Sequence, residues 1–247
     1  MSEHYSTWPN GIPPKAWQRV LACDVGGASP WAFEWSAVDP WHNLIFYDEI
    51  YKITTDVELL VVECLPKMVN EEGLPYNFLA KVIDYENKIA AEDLRRRGIL
   101  FTNAQKHGKA GSFQRLNAYL HPNPKHQFPP WHPRAGEFGS PRLFIMSRCK
   151  NLIKEFPQQR WKGAKEGLKD EADRSIANHA VDCVLYTVRQ LPHPMELKPT
   201  NNLVGPAAIS LMSRMYWEDC AKAEKKRVPE SGRRPYRMGK TPFQLLN

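Results

Sequence analysis

Three aspartates, Asp24, Asp84 and Asp182, stand where a carboxylate can do chemistry. Asp24 follows the apolar run Val20-Leu21-Ala22-Cys23 and precedes Gly26-Gly27. Asp84 ends the run from Tyr76 to Ile83, and Asp182 lies inside a helical repeat. A charge placed where a core strand leaves the core is costly unless something pairs with it, and a divalent cation is one such partner. Singly, each aspartate could equally be a turn former or a solvated helix residue. Together they suggest phosphodiester hydrolysis. Two metal ions about 3.5–4 Å apart can activate a water, neutralise developing charge and stabilise the departing oxygen. Magnesium and manganese prefer oxygen ligands, so such sites are built from carboxylates that arrive from separate elements. Asp24 would bridge both ions, and Asp84 and Asp182 would each complete one.

The elements that must position these carboxylates can be read from periodicity. Arg19–Cys23, Trp31–Val38 and Leu44–Tyr51 read as strands, and the Asp39-Pro40-Trp41-His42-Asn43 turn makes the first three an antiparallel meander. Val57, Leu60, Val61, Cys64, Leu65 and Met68 recur at helical spacing, with Thr55 or Asp56 as cap and Gly73 as stop. The run from Tyr76 to Ile83 reads as a buried, parallel-paired strand. Helices are predicted over 88–97, 112–120, 151–156 and 175–190, with a strand over 143–146. A long surface loop is expected over 121–140 and a charged loop or hairpin over 161–173. Asn178, Asp182 and Tyr186 share one face of the last helix, and His179 stands beside them. The order predicts an α/β fold, a mixed sheet of five or more strands flanked by helices. If the Asp84 strand lies parallel beside the Asp24 strand, both carboxylates emerge at one edge.

At 247 residues the chain has room for one large core. Residues 1–18 are Pro-rich and read as an arm or linker, 19–191 as the folded domain and 192–247 as a basic tail. From Lys198 onward ten basic residues face four acidic ones, so this tail carries +6 of the net +7. Such a tail suits nucleic acid or an acidic protein partner, or a solvated terminus. No apolar run approaches the roughly 20 residues that cross a bilayer, and residues 1–10 lack the pattern of a signal peptide, so no membrane is expected and the cytoplasm is the default compartment. Five scattered cysteines without a CxxC pair read as reduced core thiols. Lys106 and Lys109, beside glycines, and Arg148, Lys150, Arg160 and Lys162, near the expected active edge, are candidates for phosphate contacts or ordinary surface charge. His121, His126 and His132 match no metal-ligand spacing. Met238-Gly239-Lys240-Thr241 echoes the end of a phosphate-binding loop but has Arg234 where that motif needs glycine.

Four segments resemble the C-terminal nuclease domain of phage terminase large subunits. Residues 141–156 resemble that family's strand-helix signature, and 178–186 (Asn-His-Ala-Val-Asp-Cys-Val-Leu-Tyr) resemble its DHxxDALRY element. Asp24-Val25-Gly26 is similar to the first acidic motif, and Asp84 with 92–99 to the second. Together they cover roughly residues 15–191. The resemblance implies an RNase H-like fold, catalytic and metal-binding roles for Asp24, Asp84 and Asp182, and support from Asn178 and His179. It further implies Mg²⁺- or Mn²⁺-dependent cutting of concatemeric double-stranded DNA during genome packaging in the infected host cell. A packaging ATPase domain or subunit, a small terminase and the portal would be partners. Asn178 departs from the family, which often has Asp there, and Cys183, Val184 and Leu185 replace Ala, Leu and Arg. These departures, with the basic tail, keep a DNA-docking or portal-assembly module in play. Another RNase H-like nuclease, a resolvase or transposase, is a third reading.

Overall fold

The computed structural model describes residues 8, 11–26, 28–84, 88–104, 109–159 and 177–197, with backbone alone at 109 and 110. The first three strands, β1 (Gln18–Asp24), β2 (Trp31–Val38) and β3 (Leu44–Lys52), form the expected antiparallel meander. Asp39 makes the β2–β3 turn: its carboxylate accepts from the Trp41 and Asn43 backbone amides, while His42 takes a left-handed φ of 62°. Two strands extend the sheet on the β1 side, β4 (Phe78–Ile83) and β5 (Thr102–Asn103). A further strand of three residues, Leu143–Ile145, runs parallel to β3 at the other edge. The six-stranded mixed sheet thus carries β1 beside β4 and β2, with β1 and β4 parallel.

Alternation along β1 sends Leu21 and Cys23 to one face of the sheet and Val20 and Ala22 to the other. On the first face lie α1 (Val57–Cys64) and α2 (Lys88–Arg96). Asp56 caps α1 by accepting from the Glu58 amide, and Gly98 ends α2's segment at a φ of 94°. The second face is covered by α3 (Lys109–Leu120), α4 (Lys150–Glu155) and α5 (His179–Arg189). Helix α5 is buried on nearly every side, at Ala180, Val181, Cys183, Val184, Leu185, Tyr186, Thr187 and Val188. It lies against the sheet with α3 and α4 beside it, which leaves little of its circumference to water.

Several expectations are corrected. Residues 121–140 are no surface loop. They contain an antiparallel ribbon of β6 (Asn123–Gln127) and β7 (Phe138–Ser140), and carry Phe128 and Trp131 into the core; the edge strand Leu143–Ile145 is therefore β8. Frequent Pro and His hide that packing from periodicity. Gly73 does not close α1, because Pro66 has no N–H to continue the helix, which tightens to a 3₁₀ turn over Leu65–Met68. Gly73, at φ 74°, serves the later Asn70–Leu74 turn. Strand β4 is buried only at Val82 and Ile83, since β5 covers just those two residues, and Leu79 is exposed.

The Pro-rich N-terminal segment sends Trp8 and Trp17 into the core. Buried Arg19 ties that segment down, donating to the carbonyls of Pro13, Pro14 and Trp17 and to the Tyr47 hydroxyl. Its guanidinium also lies 3.7 Å from the centre of the Tyr76 ring. The four described cysteines, Cys23, Cys64, Cys149 and Cys183, are buried and free. The expected 161–173 loop, the first residues of the predicted last helix and the tail from Lys198 onward lie outside the described residues.

Candidate active site

Parallel pairing of β1 with β4 sets Cys23 opposite Ile83, so the next residues, Asp24 and Asp84, leave the sheet side by side. The Asp84 amide donates to the Cys23 carbonyl at 3.0 Å, which fixes the register at that edge. Just beyond Asp24 the chain bends so tightly that a Cβ on Gly26 would come within 2.1 Å of the Ser29 carbonyl oxygen. Only glycine fits there.

Helix α5 supplies the other side of the site. His179 Nδ1 donates to Asp24 Oδ2 at 2.7 Å, and that hydrogen bond raises the imidazole pKa against the opposing effect of burial. Two turns further along α5, the Tyr186 hydroxyl stands 3.3 Å from Asp24 Oδ1 and 3.5 Å from Asp84 Oδ2. These are long for O–H···O bonds, and a hydroxyl has one proton to give, so it serves one carboxylate at a time. Burial, then Asp24, Asp182 and Asp84, push the phenol pKa up and keep it protonated. Asp182, on the same helix, accepts from Asn178 Nδ2 at 3.0 Å. The structure therefore brings Asp24, Asp84 and His179 together through α5, and keeps Asn178 with Asp182.

Asp24, Asp84 and Asp182 offer only oxygen donors, which suits hard cations such as Mg²⁺ or Mn²⁺ and not zinc. Asp24 and Asp84 already meet the same hydroxyl oxygen, so the donor type and the pairing of these two fit such an ion. Among the described residues no three His, Cys, Asp or Glu side chains form a ready-made metal-binding group.

Beneath this edge lie three glutamates that no sequence pattern singles out as a group: Glu34 and Glu155, both buried, and half-buried Glu49. Glu155 accepts from the Tyr51 hydroxyl at 2.5 Å and from the backbone amides of Ala180 and Val181 at 2.9 and 3.3 Å. Glu49 accepts from the Asn151 and Leu152 amides. Glu34 is fully buried on β2, opposite Glu49, and neither of its oxygens receives a hydrogen bond. Burial, followed by Glu49, Glu155 and Asp48, drives its pKa well above the ordinary carboxylate range. Tyr186 and Glu155 are the residues whose part was missed. Tyr186 was legible only as a neighbour of Asp182 on one helix face. Glu155 carried a signal, an acid three residues after buried Leu152 and so on the inward side of the short helix.

The cationic candidates scatter. Arg148 lies 3.8 Å from Asp48, with Lys67 on the same carboxylate, on the face that carries α1. Lys150 opens α4 and is exposed. The side chain of Lys109, and all of Lys106, Arg160 and Lys162, lie outside the described residues. His126 and His132 do not converge: His126 Nε2 bonds Asn43 Oδ1 at 2.8 Å, and His132 stacks on Phe128.

No family model and no curated protein matches this chain. Solved structures do. One crystal form of the large terminase of a thermophilic bacteriophage aligns at a TM-score of 0.55 and 13% identity, over 73% of this chain and 40% of that one. A second crystal form of the same phage protein gives 0.54 and 14%, over 75% and 41%. The nuclease domain of the P22 large terminase aligns at 0.49 and 10%, over 76% and 89%. The chain spans about 40% of the thermophilic phage protein's length. At such identities the likeness is one of fold alone: the α/β arrangement, a six-stranded mixed sheet with helices on both faces, is shared with part of a phage large terminase.

Proposed function

We propose that this chain is the nuclease component of a phage DNA-packaging machine, an Mg²⁺- or Mn²⁺-dependent endonuclease acting on concatemeric double-stranded DNA. The observation that carries the reading is the meeting of Asp24 and Asp84 at the end of a parallel strand pair, with the Tyr186 hydroxyl between them. Asp24, Asp84 and Asp182 would hold the metal ions, which when bound would activate water and stabilise the departing oxygen of a phosphodiester. The chain's own residues orient that set. His179 fixes one oxygen of Asp24, Tyr186 faces the other, and Asn178 fixes Asp182. Packaging ATPase, small terminase and portal are the partners this function needs, and the cytoplasm of the infected cell is where it would act. The tail from Lys198 and the cationic candidates Lys106, Lys109, Arg148, Lys150, Arg160 and Lys162 would contribute phosphate contacts.

A second reading has an observation of its own. Oxygens of Asp24 and Asp182 are already engaged, by His179 and Asn178, which suits a DNA-docking module of the same machine that does not cut. Incubating supercoiled plasmid with the purified chain in Mg²⁺, Mn²⁺ or EDTA, beside Asp24→Ala, separates the two. Metal-dependent nicking and linearisation, lost in the variant, is the expected result. Salt-sensitive binding without cutting in any metal would install the docking reading, and cutting by Asp24→Ala at the wild-type rate would sink the assignment of the site.

A further inference from the structure

Whatever holds the first turn of α5 sets where His179 and Asp182 stand. A helix begins with backbone N–H groups that have no partner within it, and a local side chain at the N-cap usually serves them. Asn178 occupies that position but makes no capping bond, its amide being turned to Asp182. The amides of Ala180 and Val181, both buried, are served instead by Glu155, from the end of α4. A carboxylate there also meets the positive end of the helix dipole. Glu155 is itself held by the Tyr51 hydroxyl of β3, and α4 is tied to the same strand through Glu49. Position is therefore handed from β3 through Glu155 to the segment that carries His179 and Asp182.

We propose that Glu155, held by Tyr51, is a positioning residue for metal uptake at the Asp24–Asp84–Asp182 edge, a role that rests on the nuclease reading above. Glu155 does not touch the reacting groups. It places the turn of α5 whose side chains do. Removing its charge leaves buried amides poorly served, and the first turn shifts to find other partners. The rest of α5 stays anchored by Cys183, Val184 and Val188 in the core, so the fold survives while the site loosens.

The test is Mn²⁺ binding to the full chain, without DNA, for wild type, Glu155→Gln and Tyr51→Phe, far below their melting transitions. Glu155→Gln is expected to weaken Mn²⁺ binding about 10- to 100-fold, the usual effect of losing a partner just outside the ligands. Tyr51→Phe should act in the same direction by less, and the double variant should be no worse than Glu155→Gln alone. Excess Mn²⁺ should restore cutting to Glu155→Gln but not to Asp24→Ala. A role confined to stability would lower the melting temperature and leave the Mn²⁺ midpoint untouched, which would overturn the proposal. If Glu155→Gln does not fold, Tyr51→Phe decides: unchanged Mn²⁺ affinity overturns it. A wild-type chain that takes up no Mn²⁺ would overturn the nuclease reading and this inference with it, whereas wild-type uptake matched by Glu155→Gln would remove the inference alone.

Discussion

A single hydroxyl carries much of the site's geometry. Tyr186 faces two carboxylates that repel each other when no cation separates them, and its one proton relieves whichever it is given to. Tyr186→Phe leaves the ring's packing intact but no longer holds the two carboxylates toward one point, where a cation would have to meet both. The variant should need about 10-fold more Mn²⁺ for half-maximal cutting, with the rate at saturating metal near that of wild type. A metal titration of plasmid cutting reads this directly, and identical midpoints would show the hydroxyl to be a bystander. The sequence could place Tyr186 beside Asp182 but not against Asp24 and Asp84. Those contacts cross 162 and 102 positions and exist only once α5 lies on the β1–β4 edge.

Among the elements, those with clean periodicity were legible and those defined by distant partners were not. The meander follows from alternation and its turn, and β4 was legible as a parallel-paired strand, its place beside β1 only as a condition that the structure meets. The β6–β7 ribbon escaped because Pro124 and His126 erase the alternation that would mark a strand, and because Trp131 packs on Trp8 and Trp17, more than a hundred positions away. Strand β5 has two residues and no pattern at all. The Asp24–Gly26 turn was legible as a turn, though not how tight it is. Gly26→Ala would press a methyl group into the backbone of Ser29 and Pro30, so the loop must move. Destabilisation of about 1–3 kcal/mol is expected, with loss of metal-dependent cutting. A urea midpoint unchanged from wild type would show that the bend has slack.

Over the whole molecule, pH acts on buried groups in opposite directions. His126 is buried and bonded to Asn43, and burial, followed by Arg142, depresses its pKa from 6.5 to about 4. In the fold it stays neutral while the unfolded chain takes a proton below 6.5, so its contribution to stability is lost as pH falls from 6.5 toward 4. Asp39, in the same hydrogen-bonded cluster, is raised by burial to about 6 despite its donors Asn43, Trp131 and Trp41. Its folded form holds the extra proton, so its contribution is present at low pH and is lost as pH rises from about 4 to about 6. The two can be separated by difference. Between pH 7 and pH 5, His126→Gln should lose about 2 kcal/mol less stability than wild type. Urea titrations at both pH values measure it, and parallel losses would mean that His126 is protonated without penalty.

Glu34 adds a last consequence. Glu49 and Glu155 accept from backbone amides, and Glu34, beside them with no donor of its own, is the one whose charged form burial disfavours. In the unfolded chain at neutral pH the same side chain is ionised. Because the fold raises that pKa, folding at a pH between the unfolded and folded values takes up a hydrogen ion at Glu34, between β2 and β3. The heat released on folding then includes the ionisation heat of whichever buffer gave up that ion, and alkaline solution, by making the ion scarce, works against the fold from within its driest layer.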